Sequence, residues 1–396
     1  MEGSRMGRVN STVKQFAQIG KTLKPRLELL KKGFVPLVLI AFVKIVLALL
    51  IYSVPGKVAE PWNRYQQGTT FNWYYLFSAW DSGYYLSIAA NWYPSHFASI
   101  WAFFPLYPSI IRLLSSVGVN YLLSGAIVAN AAGLASVLVF HRMAERYLGR
   151  ANARFSTIVY FLLPPVFVFT TVSYSESLFL LLSLLAWYAH LHEHDLASTA
   201  LTGLVTLTKN YGLLIMIAIA FVSLRKHKYR RASLLAVPVL VLASWFLYAY
   251  NQTGVLFAPL AAELNWNSTT VIQIRNNTLR FLASGDAQSL PFLLSYWTVI
   301  LIGTVFFSFF LILTYRAWRL NSSLGIYSTL FLTSFSIATI LFLPTFASMP
   351  RYLSVAFSSG IALHTTKRIL FLLAVFLFIT MDFFAWWLFL FSPIFH

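Results

Sequence analysis

The stretch WDSGYYLSIAANWYPSHFASIWAFFPLYP, residues 80–108, lies between two strongly apolar segments of the chain. It holds Asp81, nine aromatic residues beyond Trp80, and three prolines. The prolines and polar residues make it a poor membrane span, whereas tryptophan and tyrosine favour the membrane–water interface. The stretch therefore predicts a non-spanning segment at the edge of a bilayer, with one acid among aromatic rings.

The composition around this stretch is that of an all-α polytopic membrane protein. The 396 residues are 59% hydrophobic and only 10% charged, whereas soluble domains carry about 25% charged residues. Most of the net charge of +18 lies in short segments between apolar runs. The positive-inside rule explains that distribution, so we expect no nucleic-acid partner. The absence of cysteine excludes disulfides, thiolate metal sites and a cysteine nucleophile.

The hydropathy pattern predicts one transmembrane domain over residues 34–396, with about eleven spans. Residues 1–33 carry eight Lys or Arg and two Glu, which predicts a basic cytoplasmic N-terminal segment. Two longer connections lie on the outer side in this topology. They are a first outer loop over 55–121 and a second outer loop over 253–290.

Two breaks in the apolar segments are predicted as well. Pro164-Pro165 should kink or interrupt a helix. The segment 196–224 lies between two cytoplasmic segments, so it must cross twice, with its turn at Lys209–Gly212. Irregular backbone at membrane depth is tolerated only inside protein or along a cavity. The turn also places Lys209 on the same side as Asp81.

Asp81 is the first candidate for chemistry, because an ionisable group at membrane depth is costly and by default functional. One carboxylate near a reacting hydroxyl suffices as general base. The alternative is an N-cap for a helix that begins in SGYYLSIAA, and one residue can serve in both ways.

The segment AFFPLYP, residues 102–108, is open to two interpretations. It is an interfacial aromatic helix interrupted by prolines, or a rigid wall whose Phe104 and Tyr107 line a groove for lipid or sugar. Arg112 follows one turn later and either contacts a phosphate or extends toward the interface.

Three further charged residues are expected on the outer side. Glu176, in the motif SYSES, either stabilises the start of a helix or binds a sugar or acceptor hydroxyl. Lys209 and Arg351 are candidates for binding a lipid phosphate, although Arg351 also suits an ordinary interface anchor. Asp382 is expected to be paired or structural.

Together these motifs resemble the PIG-V family, the membrane mannosyltransferases of glycosylphosphatidylinositol-anchor assembly and their prokaryotic relatives. The similarity covers roughly residues 35–360. The family pattern appears as Trp80-Asp81, AFFPLYP at 102–108, Tyr174–Ser177, the turn Lys209–Gly212, and Pro350-Arg351-Tyr352.

The resemblance implies a GT-C fold and inverting transfer of mannose from a polyprenyl- or dolichyl-phosphate donor. It implies a site on the extracytoplasmic or lumenal side, with no metal or other cofactor. Asp81 would be the base, Lys209 and Arg351 would hold the donor phosphate, and Glu176 would contact sugar or acceptor. Further substrate-binding candidates are Trp80, Tyr84, His96, Phe104, Tyr107, Arg112, Tyr174, Asn210 and Tyr352.

The chain departs from the family pattern at two places. Lys209-Asn210-Tyr211-Gly212 replaces an Arg-Ser-Asn-Gly-like turn, and residues 94–100 hold His96 where relatives often carry an acid. The acceptor is therefore expected to be some glycolipid or lipid-linked glycan, in a plasma membrane if the cell is prokaryotic and in the endoplasmic reticulum if it is eukaryotic. The alternatives are a flippase or transporter for lipid-linked sugars, and a structural assembly subunit.

Overall fold

A computed structural model describes residues 34–54, 73–284, 289–341, 348–364 and 367–391. The predicted N-terminal segment 1–33 and residues 55–72 of the first outer loop lie outside these ranges.

The described residues form helices joined by turns and short irregular segments and contain no strand, which confirms the predicted all-α class. The helices are α1 (Phe34–Ser53), α2 (Ser82–Asn91), α3 (Leu106–Ser115), α4 (Tyr121–Phe161), α5 (Pro164–Phe169), α6 (Glu176–Leu191), α7 (Asp195–Thr208), α8 (Gly212–Arg225), α9 (Tyr229–Leu234), α10 (Ala236–Thr253), α11 (Ala258–Ser284), α12 (Ser289–Leu320), α13 (Ser322–Leu341), α14 (Met349–Ser354), α15 (Phe357–Ala362) and α16 (Arg368–Phe391). Short 3-10 helices span Trp73–Phe77 and Ser99–Ala102.

Five helical segments in the described ranges are long and apolar enough to cross a membrane. They are Phe34–Ser53, Tyr121–Phe161, Tyr229–Thr253, Ile300–Leu320 and Arg368–Leu390. Helices α6 and α8 are apolar but shorter. An integral membrane protein is confirmed, and the count of about eleven spans stays a prediction.

Both predicted helix breaks are present. Pro164 and Pro165 stand at the start of α5, where a missing N–H costs no helical hydrogen bond. Between α7 and α8, Lys209 takes an extended conformation that ends α7. The next turn is tight, because a Cβ on Gly212 would lie 2.6 Å from the backbone of Thr206.

Helix α4 contains a reversal at Gly149, whose φ of 72° favours glycine. The ring of Phe140 before the reversal stacks on Tyr160 after it, at 4.6 Å between centroids. The chain therefore folds back on itself within the basic segment 141–154, which remains helical on both sides of Gly149.

Both predicted outer loops contain helices. The first carries α2 and α3, and the second carries α11, whose Asn265 Nδ2 lies 3.4 Å from Ser99 Oγ. Helix α11 thus lies on the 3-10 segment of the first outer loop, and the two loops form one structural layer.

Two ionisable residues inside spans do not contribute to that layer. Lys44 of α1 turns inward and donates to the carbonyl oxygen of Thr170 at 2.6 Å, at the end of α5. Asp382 of α16 is completely buried and accepts no hydrogen bond from the described residues.

Candidate functional site

Four charged side chains that the sequence analysis selected meet in one place, which we call the charge cluster. Its members are Asp81, Glu176, Lys209 and Arg351. They come from the residue before α2, the first residue of α6, the turn between α7 and α8, and helix α14. Four separate elements therefore converge on one ionic site.

Arg351 is the centre of the cluster. Its Nη1 donates to Asp81 Oδ2 at 2.6 Å, and its Nε donates to Glu176 Oε1. The guanidinium lies 4.4 Å from the ring centroid of Tyr174, a cation–π distance. Only arginine offers donors in a planar fork that reaches two carboxylates at once.

Lys209 forms the second ion pair of the cluster. Its Nζ lies 2.6 Å from Glu176 Oε1 and packs over the rings of Tyr352 and Tyr211, at 5.2 and 5.6 Å. Burial lowers the pKa of Lys209 to about 8, and the charge of Glu176 limits that shift. The ammonium is therefore charged at neutral pH and loses its proton just above it.

Asp81 precedes α2, but its side chain makes no capping hydrogen bond. The carboxylate instead accepts from Arg351, and the backbone N–H donates to the Tyr174 hydroxyl at 3.0 Å. The preceding Trp80 has a φ of 54°, a costly conformation for a tryptophan. Trp80 Nε1 donates to the carbonyl oxygen of Phe389 at 2.7 Å, which helps to hold this conformation.

Glu176 is completely buried at the start of α6. Its Oε1 accepts from both Lys209 and Arg351, so the carboxylate does more than stabilise a helix end. Its Oε2 is buried and has no hydrogen-bond partner in the described part of the chain. Such an orphaned oxygen is costly, which favours a ligand hydroxyl as its partner.

The remaining predicted residues divide between this site and other places. Tyr174 and Tyr352 contact the cluster through their rings. Phe104 and Tyr107 are buried, and the Tyr107 hydroxyl donates to the carbonyl oxygen of Gly125 at 3.2 Å. The side chains of these two residues therefore pack into the protein interior beneath the first outer loop.

Three of the predicted residues have their described contacts within the first outer loop. Tyr84 stacks on Phe103 at 4.9 Å. Arg112 lies against Trp92, 5.8 Å from its ring centroid. His96 is exposed, and its carbonyl oxygen accepts from Trp101 Nε1 at 3.1 Å. The structure shows no contact between Arg112 or His96 and the charge cluster.

Glu263 of α11 is a residue that the sequence analysis missed. Its Oε2 accepts from Asn210 Nδ2 at 2.7 Å, so it reaches the turn that carries Lys209. An acid in an outer loop was the available signal, but loop acids are ordinary and nothing in the sequence pairs Glu263 with this turn.

The described residues contain no group of three or more His, Cys, Asp or Glu arranged to hold a metal ion. The expectation that no metal takes part stays a prediction. What the cluster offers is one partly exposed carboxylate beside two cations, and a buried carboxylate with an unsatisfied oxygen. Such a site suits proton removal beside an anionic group.

Residues 42–235 match the family described as mannosyltransferase (PIG-V). That range contains Asp81, Glu176 and Lys209, whereas Glu263 and Arg351 lie beyond it. No curated protein matches the chain.

Among solved structures the chain is similar to ArnT from Cupriavidus metallidurans bound to undecaprenyl phosphate. The identity is 16% and the TM-score 0.46, over 82% of this chain and 59% of that one. It is also similar to the oligosaccharyltransferase of Archaeoglobus fulgidus, with 13% identity and a TM-score of 0.45, over 89% of this chain and 52% of that one. The chain thus spans little more than half of either protein, and likenesses this distant do not define its activity.

Proposed function

We propose, from the match of residues 42–235 to the mannosyltransferase (PIG-V) family, that the protein is a membrane mannosyltransferase of GT-C type. Its donor is mannose linked to polyprenyl or dolichyl phosphate. Its acceptor is a hydroxyl of a glycolipid or lipid-linked glycan on the extracytoplasmic or lumenal side. The observation that carries the proposal is the contact between Asp81 and Arg351 inside the charge cluster.

Asp81 is the proposed general base. Its carboxylate takes the proton of the acceptor hydroxyl while that oxygen attacks the anomeric carbon of mannose. The bond from this carbon to the phosphate oxygen breaks, and the bonding pair leaves with the lipid phosphate. Attack opposite the leaving group inverts the configuration, so a β-linked donor gives an α-mannoside.

Arg351 and Lys209 stabilise the phosphate that leaves. Arginine and lysine both bind phosphate well, and preorganised cations act most strongly where charge develops. The phosphate and Asp81 then compete for the same guanidinium, whose Nη1 holds Asp81 Oδ2 at 2.6 Å. Donor binding therefore draws Arg351 away from Asp81 and frees the carboxylate to act as base.

Glu176 and its neighbours supply the sugar contacts. The orphaned Oε2 of Glu176 suits a mannose or acceptor hydroxyl. The rings of Tyr174 and Tyr352 lie beside the two cations and form walls of the proposed sugar-binding space. No metal is required, because the lipid phosphate meets protein cations in place of a metal ion.

The test is transfer of radiolabelled mannose from polyprenyl-phosphate mannose, in membranes that contain the full-length protein with endogenous acceptors. The substitution Asp81→Asn keeps the size of the side chain and removes the base. It is expected to lower kcat by about a hundredfold or more. The KM for the donor should not rise, because both cations remain and the phosphate no longer competes with a carboxylate for Arg351.

The matched control is Asp195→Asn. Asp195 also pairs with an arginine, Arg231, at 2.5 Å, but it lies at the end of α7 remote from Lys209. This variant should transfer mannose like the wild type. Undiminished kcat in Asp81→Asn would remove Asp81 as the base, and a wild type that transfers no mannose would refute the proposed donor.

A further inference from the structure

Glu263 brings a third carboxylate to the edge of the charge cluster. It lies on α11, is half-buried, and accepts the side-chain N–H of Asn210 at 2.7 Å. Asn210 follows Lys209 directly, so Glu263 holds the turn that presents the lysine ammonium. Helix α11 of the second outer loop is thereby connected to the proposed donor site.

The cluster without Glu263 is electrically balanced. Arg351 and Lys209 face Asp81 and Glu176, and each cation already has a carboxylate partner. In the described ranges no lysine or arginine forms an ion pair with Glu263. An ionised Glu263 would therefore add one uncompensated negative charge to a site that has to accept an anionic phosphate.

The surroundings of Glu263 favour its neutral form. Burial raises the pKa of its carboxyl, while the charge of Lys209 and the hydrogen bond from Asn210 offset only part of that rise. A neutral carboxylic acid still accepts the Asn210 hydrogen bond, because its carbonyl oxygen keeps its lone pairs. The link to the turn survives in both protonation states, and only the charge changes.

We propose that Glu263 is a positioning residue that sets the charge of the donor-phosphate subsite. As a neutral acid it holds Asn210, and the ammonium of Lys209 is attracted to the phosphate alone. As a carboxylate it also attracts that ammonium and repels the phosphate, so donor binding is weaker. The inference rests on the proposed function, since it needs an anionic donor beside Lys209.

Few other groups around Glu263 titrate. Lys209 and Tyr211 face it from the turn between α7 and α8, and Tyr352 faces it from α14. Burial raises the pKa of both phenols, so neither ionises in the neutral range. The described parts of α10, α12 and the segment Ser99–Ala102 bring no further charged group to it. Lys209 loses its proton near pH 8, so a change of charge at lower pH that disappears in Glu263→Gln belongs to Glu263.

The test measures the donor KM from pH 5 to 8.5, in membranes with the full-length protein and radiolabelled polyprenyl-phosphate mannose. Ionisation of Glu263 should raise the wild-type KM by about tenfold over the course of its titration, the order of magnitude expected for one added charge near the phosphate at an effective dielectric of about 20. In Glu263→Gln the KM should stay level until Lys209 loses its proton near pH 8. Glutamine keeps an acceptor for Asn210 and cannot ionise.

Two variants complete the design. Glu263→Ala removes the acceptor for Asn210, so its donor KM should be raised at every pH but should lack the pH dependence that ionisation of Glu263 gives the wild type. The control Glu193→Gln removes an exposed glutamate that pairs with Lys228, and its pH profile should match the wild type. A general effect of lost negative charge would instead appear in both glutamine variants.

Direct binding separates this inference from the function on which it rests. Mannose-free polyprenyl phosphate is titrated into the purified protein at pH 5.5 and 7.5, with tryptophan fluorescence as the signal. The free phosphate gains negative charge between these pH values in both experiments, so the comparison is between proteins: the affinity of the wild type should fall about tenfold relative to that of Glu263→Gln at the higher pH. Equal pH dependence in both proteins, by binding or by KM, would overturn the role of Glu263 and leave the proposed function intact. A wild type that neither binds polyprenyl phosphate nor transfers mannose would refute both.

Discussion

Replacing Arg351 by methionine should destabilise the protein through the carboxylates that it leaves behind. The guanidinium is 13% exposed and holds Glu176, which is completely buried, and Asp81, which is 32% exposed. Methionine retains much of the apolar bulk and removes the charge and all donors. The loss therefore falls on the ionic contacts and less on packing.

The two contacts differ in size because they differ in burial. Breaking a buried ion pair by removing one partner costs about 3–5 kcal/mol, since a buried charge is stranded. Glu176 keeps Lys209 as a partner, which places its share at the lower end of that range. The more exposed contact with Asp81 adds at most about 1 kcal/mol. The expected loss in the free energy of unfolding is about 3–4 kcal/mol.

A double-mutant cycle with Glu176→Gln isolates that contribution. Glutamine removes the stranded charge. The double variant should therefore lose about 1–3 kcal/mol less unfolding free energy than the two single variants lose together. Unfolding would be followed by circular dichroism during SDS titration in mixed micelles. Additive losses would show that Glu176 is not the charge stranded by Arg351→Met and would refute the reasoning.

Two further predictions test the packing and the charge of the site. Gly360→Ala should cost about 1–3 kcal/mol of unfolding free energy, because the new Cβ would lie 2.5 Å from the buried ring of Tyr160. The control is Gly203→Ala, whose Cβ meets nothing closer than 3.7 Å. In the same SDS titration this variant should be neutral or slightly stabilising. Mannose transfer should fall as the pH rises through about 8, because Lys209 is protonated below that value and neutral above it. In Lys209→Arg the side chain stays charged, so this alkaline fall should be absent. An unchanged fall in that variant would assign it to another group.

Sequence reasoning located the breaks in the helices because each has a local cause. Pro164-Pro165 removes backbone donors, and the polar turn at 209–212 interrupts an otherwise apolar run. It predicted that the chain turns back within the basic segment 141–154, but not that the turn lies at Gly149 with helix on both sides. A basic segment indicates the side of the membrane, but it does not indicate where the backbone turns.

The site residues were likewise easier to select than to connect. Asp81, Glu176, Lys209 and Arg351 were each selected as ionisable groups near a membrane edge, which is a local property. Asp81 and Arg351 are 270 positions apart, so no local pattern reports that they touch. Glu263 was missed for the same reason, since its importance comes entirely from its contact with Asn210.

Arg351 shows why assigning one role to each residue was insufficient. Treated as a phosphate-binding cation alone, it would stand unpaired in a buried site whenever no donor is bound, which is costly. The structure pairs it with the proposed base and with Glu176, so the site without donor is balanced. The arrangement that stabilises the empty site also holds Asp81 on a guanidinium. Donor phosphate must take over that guanidinium before the base is free, so the proposed reaction requires the donor to bind before the acceptor proton is removed.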